Sequence, residues 1–493
     1  MKRFGTMLAV VVAFAGAAAQ EPAPTAVESA AIVPVTGDRQ IAITGMLGTV
    51  SLQLGKPGEL RFLSRKPGGK VSPKTGKPAP TEELPVALYD AGTSLVLKPA
   101  PGEPPGTVRD LQMSIPPELF VRLEMDRGGK VVLSGLRGGI EIEGKQIVLD
   151  ARGLQSDLEV IAEGATIVGG SLGGNVRLRG REIQATLQGT TGSVGADLVG
   201  GSLKVLGAAS IDVASEGTAV ELAQVKERAT VKASGGTVRI TGLAGGGEFQ
   251  ITGASLAMEK SKGDITVSSD ADVTYKEMEA DLHFDIYGGS VRGEGNKGLV
   301  EARTRNATVE LAKNEGPARV QGDGLVVKLS DIGGETIVYA TTSEVTIDNV
   351  GGKLTVESDR GDVTISRING EVELTTEGGG VVKLTDLTGA VKVNAQSQSV
   401  EVSWSSIPQA DSDIRNGEGT VSVRFPATGT GCRVEAQSDD GRIETDLPRV
   451  RVSDDGSRAE GQFGNAQRPV VNVRAGGDIQ LLGGGATDGS PQP

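Results

Sequence analysis

A single cysteine, Cys432, stands in the 493 residues, so no disulfide can form within the chain and no covalent staple can hold its fold. A single histidine, His283, excludes any metal site built on two imidazoles and leaves one imidazole for acid–base work. Aromatic residues make up 3% of the chain, with Trp404 the only tryptophan. A broad core centred on Phe, Tyr and Trp is therefore out of reach, and the interior must be narrow and aliphatic. No apolar run reaches the ~20 residues that a membrane-spanning helix needs. A basic face is missing too: the formal charge is −13, which leaves nucleic acid without an electrostatic footprint and gives solubility as the plain use of the charge.

What the chain has in excess is glycine, 73 residues, about twice the usual share of roughly 7%. There is no Gly-X-Y triplet, and the apolar residues are spread evenly, so neither collagen nor disorder fits. The first residues read as a secretory signal: Lys2 and Arg3, an apolar run from Met7 to Ala15, then Ala17-Ala18-Ala19 before Gln20. The expected signal peptide is 1–19, and losing Lys2 and Arg3 with it takes the formal sum from −13 to −15. Lipid attachment at the cleavage point is not expected, because the only cysteine is far downstream.

Between Leu354 and Val402 a short unit recurs: Leu354-Thr355-Val356, Val363-Thr364-Ile365, Val372-Glu373-Leu374, Val382-Lys383-Leu384, Val391-Lys392-Val393 and Val400-Glu401-Val402. Their first residues lie 9, 9, 10, 9 and 9 positions apart. Each unit is apolar-polar-apolar, which on an extended backbone puts two aliphatic side chains on one face and the polar one on the other. Gly361, Gly370, Gly380 and Gly389 fall between units, where the chain must bend. The beat continues backward to Ile140-Glu141-Ile142. A propeller would repeat at ~40 residues, and antiparallel strands would be longer and joined by hairpin dipeptides. The expected fold is all-β, a right-handed parallel β-helix, or β-solenoid, with a strand about every nine residues, in which coil stacks on coil. A nine-residue beat leaves two or three strands per coil open; three, about 27 residues, is preferred.

The expected organisation is a signal peptide 1–19, a Pro/Ala-rich tether 20–33, one elongated solenoid 34–482 and a loose tail 483–493. Within the solenoid a Lys/Pro/Gly insertion loop spans 65–80, a Pro-rich loop spans 99–106, and an irregular capping end spans 404–482. Leu111–Ile115 and Phe120–Met125 read as strands divided by Pro116-Pro117.

Four passages together carry a resemblance: LQMSIPPELFVRLEMDRGGKVVLSGLRGGIEI from Leu111, GGKLTVESDRGDVTISRINGEVELTTEGGG from Gly351, GRIETDLP from Gly441 and GDIQLL from Gly477. They resemble the putative adhesin family of bacterial envelope proteins, related to the auto-transporter adhesin head domain. The resemblance implies a β-helix without a catalytic motif, so it assigns no site residue. No carboxy-terminal barrel accompanies it, so it stops short of self-export.

Chemistry-bearing patterns are few. Asp281, His283 and Asp285 alternate on one strand and could share a face toward a divalent metal; an outward polar row is the plainer reading. Acidic rows such as Glu371, Glu373 and Glu377 invite comparison with polysaccharide-active β-helix enzymes, but sugar-stacking aromatics are scattered: Trp404, Tyr275, Tyr287 and Tyr339. Gly245-Gly246-Gly247 lacks the Lys-Ser/Thr of a phosphate loop and reads as a tight corner. No catalytic, cofactor-binding or metal-binding residue is assigned, and no cofactor is expected. The expectation is an exported, non-catalytic rod in the periplasm, at the cell surface or secreted, which binds an envelope polysaccharide or a surface protein. It has no nucleic-acid partner and no membrane span after signal cleavage. The alternatives are a scaffold that oligomerises through its solenoid ends, or a polysaccharide-active enzyme.

Overall fold

The computed structural model describes residues 26–35, 39–67, 82–427, 431–464, 466 and 468–484. Among them are 45 strands and no helix. The strand Leu354–Ser358 shows how sequence becomes structure: Leu354, Val356 and Ser358 are buried, while Thr355 and Glu357 between them face outward. Strand after strand repeats this, and the inward Val, Leu and Ile join one aliphatic core that runs from Val35 to Leu481. Each such side chain stabilises by roughly 1.5–3 kcal/mol when buried.

Stacking is parallel, and every second strand is a neighbour. Val372–Thr376 pairs with Leu354–Ser358 on one side and Val391–Ala395 on the other. The intervening Val363–Ile368 pairs instead with Glu344–Val350 and Val381–Leu387. Leu354 is in register with Val372, 18 residues on. The coil therefore holds two strands and not the three expected above. Two ladders lie back to back, and long strands such as Val273–Tyr287 pass through a corner and serve both.

The physical reason lies at one corner. Strands of the second ladder typically end apolar-x-apolar-x-x-apolar, as in Val363-Thr364-Ile365-Ser366-Arg367-Ile368, where Val363, Ile365 and Ile368 are all buried. Arg367 has φ 55°. That left-handed residue breaks the alternation and turns the chain, so that the residue after it points inward again. A column of such residues follows the coils, from Gly189 and Gly207 through Gln224 to Asn349, Arg367 and Asp386, with φ between 54° and 82°. Gln224, Asn349, Arg367 and Asp386 are not glycine, so the fold carries strained residues along this corner. Gln224 is exposed and tests this: Gln224→Val is expected to cost about 1–2 kcal/mol, whereas Gln224→Gly should be neutral or stabilising, as read by thermal denaturation.

At another corner stacked glycines are required by close approach. A Cβ on Gly370 would lie 2.1 Å from the Gly352 carbonyl oxygen, and one on Gly389 2.0 Å from that of Gly370.

Both ends are interlocked. At the start, Gln40–Ile43 lies between Ser94–Pro99 and Phe120–Met125, and Gly48–Leu54 lies between Arg109–Ile115 and Gly129–Ser134. At the finish, Val470–Ala475 inserts between Ser412–Asn416 and Gly431–Ser438. Outside these coils the pairing turns antiparallel: Glu59–Arg65 and Val86–Asp90 at one end, Arg458–Gly464 at the other. Of the segment expected as a tether, the described residues form the strands Ala26–Glu28 and Ala30–Pro34, which pair antiparallel with Val86–Asp90 and Glu59–Arg65. Small alternating residues such as Ala31 and Val33 pack against the core edge, a role that Pro/Ala content hides. The regular ladders also run past residue 404, through Ser412–Asn416 and Thr420–Arg424. Most of the insertion loop falls outside the described residues.

The few aromatics fill special places. Phe425 stacks between Trp404 at 5.9 Å and Phe463 at 5.3 Å and closes the core near the finish. Tyr275 takes the space above Gly293, where a Cβ would meet its Cζ at 1.9 Å, and stacks on Phe284 at 5.7 Å. Burial pushes its phenol above the ordinary range. Cys432 is fully buried in the strand Gly431–Ser438, and burial raises its thiol to about 11.

Candidate functional site: the outward face of the first ladder

Because the coil is 18 residues, outward side chains form straight rows along the rod. Glu141, Glu159, Arg177, Gly195, Asp212 and Thr230 share one such row on the first ladder. Charge alternates along much of the surface and the charges meet between coils. Lys204 reaches Glu221 at 2.7 Å, Arg292 reaches Glu310 at 3.1 Å, and Lys392 reaches Glu371 at 2.7 Å. Glu279 is held by Lys262 at 2.6 Å and Lys297 at 2.8 Å, and hydrogen bonds from these two ammonium groups drive its carboxyl down to about 2.

Where the outward residues shrink, the face becomes concave. A groove of about 1020 Å³ runs over the first ladder from Phe120 to Thr230. Its floor is set by Ser193, Gly195 and Ala214. A Cβ on Gly195 finds no atom closer than the Val176 carbonyl oxygen at 4.0 Å, so the floor is open space rather than a packing requirement. One rim is fixed by a hydrogen-bond relay. The Asn175 backbone N–H donates to Asp157 Oδ1 at 2.7 Å, and Asn175 Oδ1 accepts from the Ser193 backbone N–H at 3.0 Å and hydroxyl at 2.7 Å. Arg179 is paired with Glu159 at 3.4 Å and Arg228 with Glu248 at 3.2 Å. The Arg177 guanidinium, exposed beside the gap at Gly195, adds a cation that no described carboxylate pairs with.

Farther along the same ladder lies a second concavity of about 580 Å³, lined by Arg305, Gln321, Asp323, Tyr339, Glu357 and Glu377 among others. A third, also about 580 Å³, opens on the other ladder around Ala257, Arg292 and Ala312. At the finish the hairpin from Val450 to Gly464 extends the sheet beside Gly431–Ser438, and its outward residues together with Arg415, Asn472 and Arg474 line an open concavity of about 620 Å³.

Asp281, His283 and Asp285, the trio weighed above as a metal site, stand along one outward strand face without converging. His283 Nδ1 faces Glu301 of the next coil at 3.3 Å, and Asp281 Oδ1 accepts the Leu299 backbone N–H at 2.9 Å. Among the described residues no three His, Cys, Asp or Glu side chains converge as metal ligands. Glu373 is paired with Lys353 at 2.8 Å, whose hydrogen bond lowers its carboxyl, so the acidic row is not a poised pair of carboxylates. Gly245–Gly247 forms a tight corner: a Cβ on Gly246 would stand 2.3 Å from the Asp264 carbonyl oxygen. Sequence reasoning missed the groove at Gly195. Its only signal was a glycine at a polar outward position, visible once the 18-residue register is known.

Arg109 was also unforeseen. It is fully buried, donates to Ser64 Oγ at 3.2 Å and to the Pro85 carbonyl at 3.3 Å, and is ion-paired with Glu103 of the Pro-rich loop. The pair ties that loop to the first coils.

These features define a two-ladder β-solenoid whose polar side chains form rows on its outward faces. The chain belongs to the Toastrack DUF4097 family, whose model matches residues 208–482. The crystal structure of a putative cell adhesion protein from Clostridium sporogenes aligns over 92% of this chain and 98% of its own at 7% identity, with a TM-score of 0.12, too low to carry an argument. No curated protein matches the sequence. The family shown is thus a solenoid family, and the auto-transporter head is not what matches. No helix among the described residues is long and apolar enough to cross a membrane. The residues read as an export signal lie outside the described ones.

Proposed function

We propose that this chain is an exported, non-catalytic, adhesin-like rod that binds an envelope polymer or a surface protein through the outward face of its first ladder. The observation that carries this reading is the groove over Gly195: about 1020 Å³ of open surface with a rigid β-floor, a hydrogen-bonded rim and the Arg177 guanidinium beside it. A rigid scaffold that presents few mobile groups binds without a large ordering cost. Ion-paired carboxylates and a lone imidazole engaged by Glu301 supply no acid–base couple for catalysis. The scaffold alternative loses support from the ends, where the outermost strands are only three to five residues long, a device that blunts edge pairing.

The test uses Gly195→Trp, which fills the groove where the backbone has room for a side chain. Wild-type protein is expected to sediment with cell-envelope fractions. The variant should lose at least about tenfold in affinity, roughly 1.4 kcal/mol, with an unchanged melting temperature. Equal binding by both proteins refutes the groove, and labelling only of permeabilised cells from the inside refutes export.

A further inference from the structure

We infer that the second concavity of the first ladder, lined by Tyr339, together with Tyr287 one coil before its lining begins at Arg305, is a binding site for a neutral or amino-bearing glycan chain. This deepens the binding-rod reading and rests on it.

Aromatic side chains are scarce in this chain, and among the described residues Phe62, Phe249, Tyr275, Phe284, Trp404 and Phe425 are buried. Two of the four tyrosines are nevertheless turned to solvent on one face: Tyr287 is 56% exposed and Tyr339 36%. The register explains how residues so far apart in sequence share a surface. Tyr287 is followed along its row by Arg305, Asp323 and Thr341, while Tyr339 stands in the adjacent row between Gln321 and Glu357. The two rings are therefore three coils apart, about 14 Å at a strand spacing of about 4.8 Å. The groups between them are polar and held in place. The Arg305 guanidinium lies 5.9 Å from the centre of the Tyr287 ring, and the Thr341 hydroxyl donates to Asp323 Oδ1 at 2.7 Å.

An aromatic body with a polar tip suits a partner that is apolar on one face and hydroxylated at its edge. A pyranose ring has that make-up: axial C–H groups above and below, hydroxyls around the rim. Gln321, Asp323, Glu357 and Glu377 offer acceptors for those hydroxyls, and Arg305 and Gln321 offer donors. The charge selects among glycans. Asp359 is ion-paired with Arg360 at 3.6 Å, and the remaining Asp323, Glu357 and Glu377 outnumber Arg305, so a carboxylated polymer is repelled and a neutral or amino sugar is accepted.

The experiment measures binding of linear hexasaccharides of glucose, mannose and N-acetylglucosamine, with an oligogalacturonate of the same length, to the full chain and to Tyr287→Ala and Tyr339→Ala by calorimetry. Both tyrosines are exposed, so both variants are expected to melt as wild type does. At least one neutral hexasaccharide should bind. Each alanine variant should weaken it by about three- to tenfold, from the worth of an aromatic contact. Binding of the oligogalacturonate alone, no binding of any neutral sugar, or equal binding by the tyrosine variants overturns the glycan site. Envelope material that still sediments with both tyrosine variants, while no neutral sugar binds, overturns this site and leaves the groove reading standing. Failure of the wild type to bind either sugars or envelope material removes both.

Discussion

Val372→Asp should unfold the middle of the rod, at a cost of more than about 4 kcal/mol. Val372 is fully buried, and its partners in register, Leu354 and Val391, are fully buried too. A carboxylate there loses its water and meets only aliphatic carbon, so it must either stay charged at great cost or take up a proton and still lack hydrogen bonds. In a stacked array each coil contacts only its neighbours, so the damage should be local. Hydrogen exchange should show loss of amide protection in Leu354–Ser358, Val372–Thr376 and Val391–Ala395 first, with distant coils spared. Thr355→Lys, outward in the register position beside Glu373, is the control and should shift stability by no more than about 0.5 kcal/mol. If the two variants melted alike, the inward and outward assignments would be wrong.

The second large effect is expected from ending the chain at Arg424. This removes the inserted strands Val470–Ala475 and Ile479–Leu482, which cover Ser412–Asn416 and Thr420–Arg424, and it removes Phe425, which covers Trp404. Two parallel edges with unpaired backbone groups and a newly exposed indole would then face water together. The truncated chain should self-associate to at least twice the monomer mass in light scattering while its far-ultraviolet circular dichroism stays β-rich. A truncated chain that remained monomeric and folded would show that the finish does not act as a cap.

How much of this was legible in the sequence differs from feature to feature. The strand beat was plain from Leu354 to Val402, because the alternation of aliphatic and polar residues is set by the backbone's own period of two. The coil size was also written there, but in a subtler sign. Units of the type Val363-Thr364-Ile365-Ser366-Arg367-Ile368 place a third aliphatic residue three positions on, and units of the type Val372-Glu373-Leu374-Thr375-Thr376 do not. Their alternation marks two kinds of strand, hence 18 residues. It was hidden because Arg367, Asn349 and Asp386 do not announce a left-handed conformation as glycine does.

The candidate sites were less legible still. Tyr287 and Tyr339 look scattered in a linear reading and come onto one face only after the register is fixed. Arg109 in the core and the order of the end coils had no signal at all, since Gln40–Ile43 could have paired with any parallel strand of its pattern.

The sequence by itself determined that this protein is a stack of short strands around a thin aliphatic interior, because alternation and glycine spacing act within a few residues and need no partner. Only the tertiary structure decided how many strands make a coil, how the ends interlock and which polar side chains share a surface. Those outcomes depend on pairings between residues 18 or more positions apart, where the energy of a contact is settled by what else is stacked beside it and not by the residues alone.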